Sequence, residues 1–122
     1  MAAVASVVMN RVRASTGEYA RVGQGSIRNI IFQPGQFTCI QETVRGQPNQ
    51  QNIYNMRPES VQYQIAEWAM AGGRVINLGQ ALWFFNPYLP TCQPNFPSEV
   101  GVFVTRIRNH CFYNPTPAYN DT

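Results

Sequence analysis

Two short aromatic runs, ALWFFN (Ala81–Asn86) and HCFYN (His110–Asn114), decide the reading of this 122-residue chain. Each is stopped by a proline, Pro87 and Pro115, and each reads as a short buried strand. Alternate side chains of a strand face opposite ways. Trp83 and Phe85 therefore share one face, while Phe84 points with Leu82 and Asn86. One set is expected in the core, and the other is free to line a cleft.

Outward from these runs the pattern turns helical. Residues 1–14, MAAVASVVMNRVRA, carry Val4, Val8 and Val12 in one stripe that Ala5 and Met9 widen. Up to Met9 the segment is apolar all round, the mark of a helix buried on every side. No capping residue precedes it, so the chain reads as starting inside its first core helix, with a segment missing upstream. Residues 15–25 are expected to form a Gly-punctuated loop, after which Ser26 caps a short helix, IRNIIF, ended by Pro34-Gly35. Gln36–Ile40 reads as a strand and Arg45–Met56 as an amide-rich surface loop. The clearest helix is Pro58–Met70, with Pro58 at its first position, Glu59 beside its positive end and Gly72-Gly73 as the stop. Val61, Ile65, Trp68 and Ala69 are expected to line its scaffold face. Pro87–Pro97 is a loop, and Val100–Ile107 fits either strand or helix. The sum is one α+β domain, with helices packed beside a short antiparallel sheet.

Composition narrows the partners. Charged residues are only 12% of the chain, whereas 11 Asn and 11 Gln outnumber them all. All nine cations are Arg, scattered rather than clustered, and the balance is +3. No basic stripe or nucleic-acid module is present. No run approaches the roughly 20 apolar residues of a membrane-spanning helix. Amides that both donate and accept, interleaved with rings that stack, suit a polyhydroxylated ligand such as carbohydrate.

Reactive side chains are sparse. The six acids are Glu18, Glu42, Glu59, Glu67, Glu99 and Asp121, and no close pair argues for a two-carboxylate glycosidase. Glu18 and Glu42, in loops, are the ones placed for general acid work. Cys39 with His110, the single histidine, forms an outside candidate for a thiol hydrolase dyad. Three cysteines leave open one disulfide with a free thiol or three thiols; Cys92 and Cys111 flank a Pro-rich loop that a bridge could close. One histidine and no C-x-x-C argue against a metal site.

The runs AAVASVVMNRV, IRNIIFQPGQFTCI, AEWAMAGG, ALWFFNP and RIRNHCFYNPTP resemble, in order and spacing, the SleB/CwlJ-type cell wall hydrolases, the spore-cortex-lytic enzymes. The likeness extends from Met1 to about Tyr119, and the pieces around Cys92 and Cys111 are closer to the CwlJ branch.

The resemblance implies a lysozyme-like domain that cuts the glycan strand of cortex peptidoglycan as a lytic transglycosylase, with no metal or cofactor. One Glu would act as acid and then base, which needs a pKa raised by apolar burial. In the family that Glu lies in an acidic segment just upstream of the helix that here begins at Met1. No residue of this chain takes the role, and impaired activity is expected. Gln33, Gln36 and Phe37 match the family's Q-P-G-x-F turn. Trp83, Phe85 and Asn86 match its strand-and-turn segment, and His110 and Tyr113 its H-x-F-Y ending. These eight are the expected substrate-binding residues. A spore-coat protein partner and a place in the spore coat, cortex or cell wall follow from the same likeness. A Cys92–Cys111 disulfide stays a hypothesis. The competing reading is a hydrolase-like module that grips glycan or a partner without cutting.

Overall fold

The computed structural model describes residues 1–122. Three helices open the chain: α1 (Ala2–Arg13), α2 (Gly17–Gly23) and α3 (Ile27–Ile31). A small hairpin, β1 (Thr43–Val44) with β2 (Gln47–Pro48), precedes α4 (Ser60–Met70). The main sheet follows, built from β3 (Trp83–Phe85), β4 (Gly101–Ile107) and β5 (His110–Pro115). It is antiparallel throughout, in the order β3-β5-β4, with Trp83 opposite Tyr113 and Phe85 opposite Cys111. β4 and β5 join through Arg108-Asn109, where Arg108 takes a left-handed φ of 54°. The expected α+β, lysozyme-like architecture is what forms. No helix is long and apolar enough to cross a membrane.

Strand alternation places apolar groups on both sheet faces, and both are covered. On one side Trp83, Cys111 and Tyr113 pack with Tyr19, Ile30, Leu82 and Tyr119. On the other, Phe112 packs with Ala3, Val7, Leu78 and Ala81, and Phe84 leans on that group. α1 reaches both clusters, through Val7 on one side and Val8 and Val12 on the other. This accounts for its all-round apolar sequence. Neither aromatic set of β3 is left over to line an open cleft by itself.

Several expectations are corrected by local competition for hydrogen bonds. The segment read as a loop over residues 15–25 contains α2. Its first glycine serves packing instead of a loop: Gly17 sits at φ 71°, where a Cβ would press 2.5 Å from the Tyr119 ring. Gly17 is thus a tight-approach residue at a helix start. Gln36–Ile40 is not a strand: Thr38–Ile40 forms a 3-10 turn. Its neighbouring carbonyls are taken by side chains, since the Asn49 amide donates to Thr38 and Gln41 and the Asn52 amide to Gln41. No ladder partner is left for a strand. The Arg45–Met56 loop carries the β1–β2 hairpin over Arg45-Gly46, both at positive φ as a primed turn requires. α4 begins after Glu59, whose backbone N–H donates to Gln62 Oε1 at 2.7 Å, so Pro58 precedes the helix. Only Ala69 of α4 is buried; Val61 and Trp68 stay largely exposed, and the Trp68 ring lies on Gly73.

Cys92 and Cys111 are joined by a disulfide 19 residues apart, and Cys39 is free. Only 19 of 122 residues are buried, so the apolar core is thin and a covalent tie carries weight. Closing a loop of this length stabilises by about 3 kcal/mol. Urea unfolding with and without a thiol reductant is expected to show that loss, and coincident curves would contradict it.

Candidate functional site

Arg11 is the centre of the one buried polar cluster. It lies on α1 among apolar neighbours and is 4% exposed. Its Nε donates to the Leu82 carbonyl at 2.7 Å and its Nη1 to Gln36 Oε1 at 3.3 Å. The guanidinium sits 4.6 Å over the Tyr19 ring and 5.7 Å from the Phe37 ring centroid. The preceding residue, Asn10, donates to the Ala81 carbonyl at 3.0 Å. The adjacent Asn10 and Arg11, near the end of the AAVASVVMNRV run, therefore pin the chain entering β3 onto α1. That is the physical reason these two polar types interrupt an apolar helix.

Around Arg11 stand the side chains of the 33–37 turn and the aromatic wall. Gln36 Oε1 also accepts from the Tyr19 hydroxyl at 3.4 Å. Tyr19 donates its backbone N–H to the Tyr119 hydroxyl at 3.0 Å, and Trp83 packs edge-on to Tyr119. Gln33 Nε2 donates to Glu18 Oε1 at 2.9 Å, while Gln33 Oε1 is buried without a partner. Glu18 is the only one of the six acids that is partly buried; the other five are exposed. Its charge reaches Arg11, Tyr19 and Tyr119.

Burial lowers the Arg11 pKa, with Tyr19, Glu18 and Tyr119 opposing that shift. The Tyr19 hydroxyl is pushed up, by burial first and against the pull of Arg11. Burial also raises Tyr119 and Tyr113. The sign follows directly. Unfolded tyrosine ionises near about 10, below the folded groups, so the native state holds these protons longer. Stability is expected to be intact below pH about 10 and to fall as pH rises further. A Tyr19→Phe variant should show a shallower alkaline loss in denaturant titrations. An unchanged slope would remove Tyr19 from this account.

Of the eight expected binding residues, Gln33, Gln36, Phe37 and Trp83 come together at this cluster. Phe85 and Tyr113 pack into the apolar cluster behind Trp83, and Asn86 and His110 lie apart. Phe85 stacks on Phe96 at 4.1 Å, inside the fold. Tyr113 is fully buried, its hydroxyl donating to the Gln93 carbonyl. Asn86 forms a turn, accepting from the Tyr88 N–H at 2.8 Å. His110 lies against Phe84 on the opposite sheet face, because it alternates with Cys111. Cys39 lines a separate hollow with Thr38, Asn49 and Gln51, which His110 does not touch. The structure does not bring the thiol dyad together. Sequence reasoning missed Arg11, Tyr19 and Tyr119. The signal for Arg11 was a cation inside an apolar stripe; the two tyrosines carried none.

Residues 1–113 match the family model described as Cell Wall Hydrolase. The chain is 29% identical over 116 residues to the cell wall hydrolase CwlJ of Bacillus subtilis, covering 95% of this chain and 72% of that protein. It is 28% identical over 119 residues to the cell wall hydrolase CwlJ of Oceanobacillus iheyensis, covering 97% and 74%. Among solved structures it is similar to the catalytic domain of the germination-specific lytic transglycosylase SleB from Bacillus anthracis. The TM-score is 0.63 at 24% identity, over 93% of this chain and 76% of that one. This chain, matched over residues 1–113, belongs to the cell wall hydrolase family.

Proposed function

We propose that this domain acts on the glycan strand of peptidoglycan, in the manner of a lytic transglycosylase, on spore cortex during germination. The observation that carries the reading is the convergence of Gln36 and Phe37 on buried Arg11, within a chain matched to cell wall hydrolases over residues 1–113. Amides and a ring backed by a cation offer hydrogen bonds and a stacking face to a sugar. The likeness to a germination-specific lytic transglycosylase supports the reaction type and setting. In that reaction one carboxyl protonates the glycosidic oxygen. It then takes the proton of the muramic C6 hydroxyl as that oxygen attacks the anomeric carbon, leaving a 1,6-anhydro end.

Glu18 is given a positioning role: it accepts from Gln33 and orients the turn that bears Gln36 and Phe37. The proton donor is proposed to be the Glu of the family's acidic segment ahead of α1. The spore coat or cortex, with a coat protein as partner, is the proposed location, resting on the likeness to CwlJ. The test uses decoated spores or purified cortex and this domain with the family's acidic segment joined before α1. Loss of turbidity with 1,6-anhydro ends in mass spectra is the expected result. Retention on cortex with no released fragment would replace cutting by a gripping module.

A further inference from the structure

Beside the Arg11 cluster, and sharing Leu82 and Tyr119 with it, lies an open cavity of about 700 Å³. It is framed by the C-terminal turn of α1, the Ser15-Thr16 connection, the Arg74 and Gln80 region, and the chain from Pro115 onward. Two guanidinium groups line it, Arg13 and Arg74, and none of its 13 lining residues is Asp or Glu. Like charges gathered without a carboxylate repel one another until an anion enters.

Arg74 is held in place by the fold. Its Nε donates to Asn10 Oδ1 at 3.1 Å, and its Nη1 to the carbonyls of Ala69 and Gly73. Its Nη2 is buried and has no partner. Burial, and then the charge of Arg13, pull the Arg74 pKa down. Arg13 leans over the same turn, its Nη2 lying 3.8 Å from where a Cβ of Gly72 would stand. A guanidinium fixed by three of its N–H groups, with two left over, has the plane needed to meet an oxyanion. Ser15 and Gln80 add neutral donors at the rim.

We infer that this cavity binds an oxyanion group, a carboxylate or a phosphate carried by a wall polymer, through Arg74 and Arg13. The polymer's identity rests on the glycan reading above, whereas the oxyanion rests on the cavity. The experiment titrates the chain by calorimetry with three probes: N-acetylmuramic acid, which carries a carboxylate, inorganic phosphate, and neutral N-acetylglucosamine. Each is measured at low and high salt.

Binding of either anion, weakened by salt and at least tenfold by Arg13→Gln, is the expected result. The anion that binds identifies the source, muramic carboxylate or polymer phosphate. Arg13 is exposed, so its variant is expected to keep the native melting temperature. Arg74→Gln, measured well below its own melting temperature, is expected to abolish binding. Failure of both anions at millimolar concentration, or equal binding of the neutral sugar, overturns the assignment. Cortex retention of the unsubstituted chain, scored in parallel, separates the two readings. If retention persists without anion binding, only the cavity assignment falls.

Discussion

Replacing Arg11 by alanine is expected to lower the free energy of unfolding by about 3–5 kcal/mol, a large part of the roughly 5–15 kcal/mol that holds a domain folded. Three losses combine. The Leu82 carbonyl loses a buried charged donor, and the part-buried Gln36 Oε1 is left with the Tyr19 hydroxyl alone. A carbonyl left unpaired there costs about 1–3 kcal/mol. The aromatic faces of Tyr19 and Phe37 lose the cation above them, and the stem leaves a void that rigid neighbours fill only in part. Arg11→Met separates the causes, since it keeps most of the volume and removes only the donors. It should lose about 1–3 kcal/mol. The midpoint of urea unfolding checks both, and an alanine variant within 1 kcal/mol of the native chain would show that Arg11 does not hold β3 to α1.

The second large effect concerns the proton donor. Removing a general acid forfeits about 10²–10⁴-fold in rate. If the family's acidic segment carries the donor, residues 1–122 alone release cortex fragments at least about a hundredfold more slowly than the same residues with that segment joined before α1. Glu42→Gln should leave the residual rate of the short chain unchanged within about twofold, because Glu42 is exposed, whereas Glu18→Gln should lower it by only a few-fold, because Glu18 acts through Gln33 and not on the reacting atoms. A high rate for the short chain that collapses in Glu18→Gln would make Glu18 the catalytic residue and reverse its assignment here.

Much of the fold was legible because the patterning was local. The all-apolar start of α1 required a helix touched on two sides, and Val7, Val8 and Val12 provide it. Pro87 and Pro115 bounded the two aromatic runs, and the antiparallel β3–β5 pair sits where they read. The errors occurred where side chains competed with backbone. Asn49 and Asn52 withdrew the carbonyls that a strand at Gln36–Ile40 would have used, and no spacing rule registers an amide 11 residues away. α2 was hidden by Gly17, whose role depends on Tyr119 about 100 residues later.

The candidate site divides the same way. The Q-P-G-x-F turn brought Gln33, Gln36 and Phe37 together because they are neighbours in sequence and share one short turn. His110 and Asn86 were grouped with them by motif alone, and strand alternation sends His110 to the far face of the sheet. Tyr19 and Tyr119 meet only through tertiary packing.

The most direct test of the Arg11-centred site is retention on purified peptidoglycan by folded single variants of this chain. Phe37→Ala is expected to weaken retention about tenfold, the equivalent of about 1.4 kcal/mol, because the half-exposed ring is the stacking face backed by Arg11. His110→Ala, on the opposite sheet face, should match the native chain. Equal retention by native and Phe37→Ala chains, or a loss confined to His110→Ala, would contradict the account and move the glycan to the other side of the sheet.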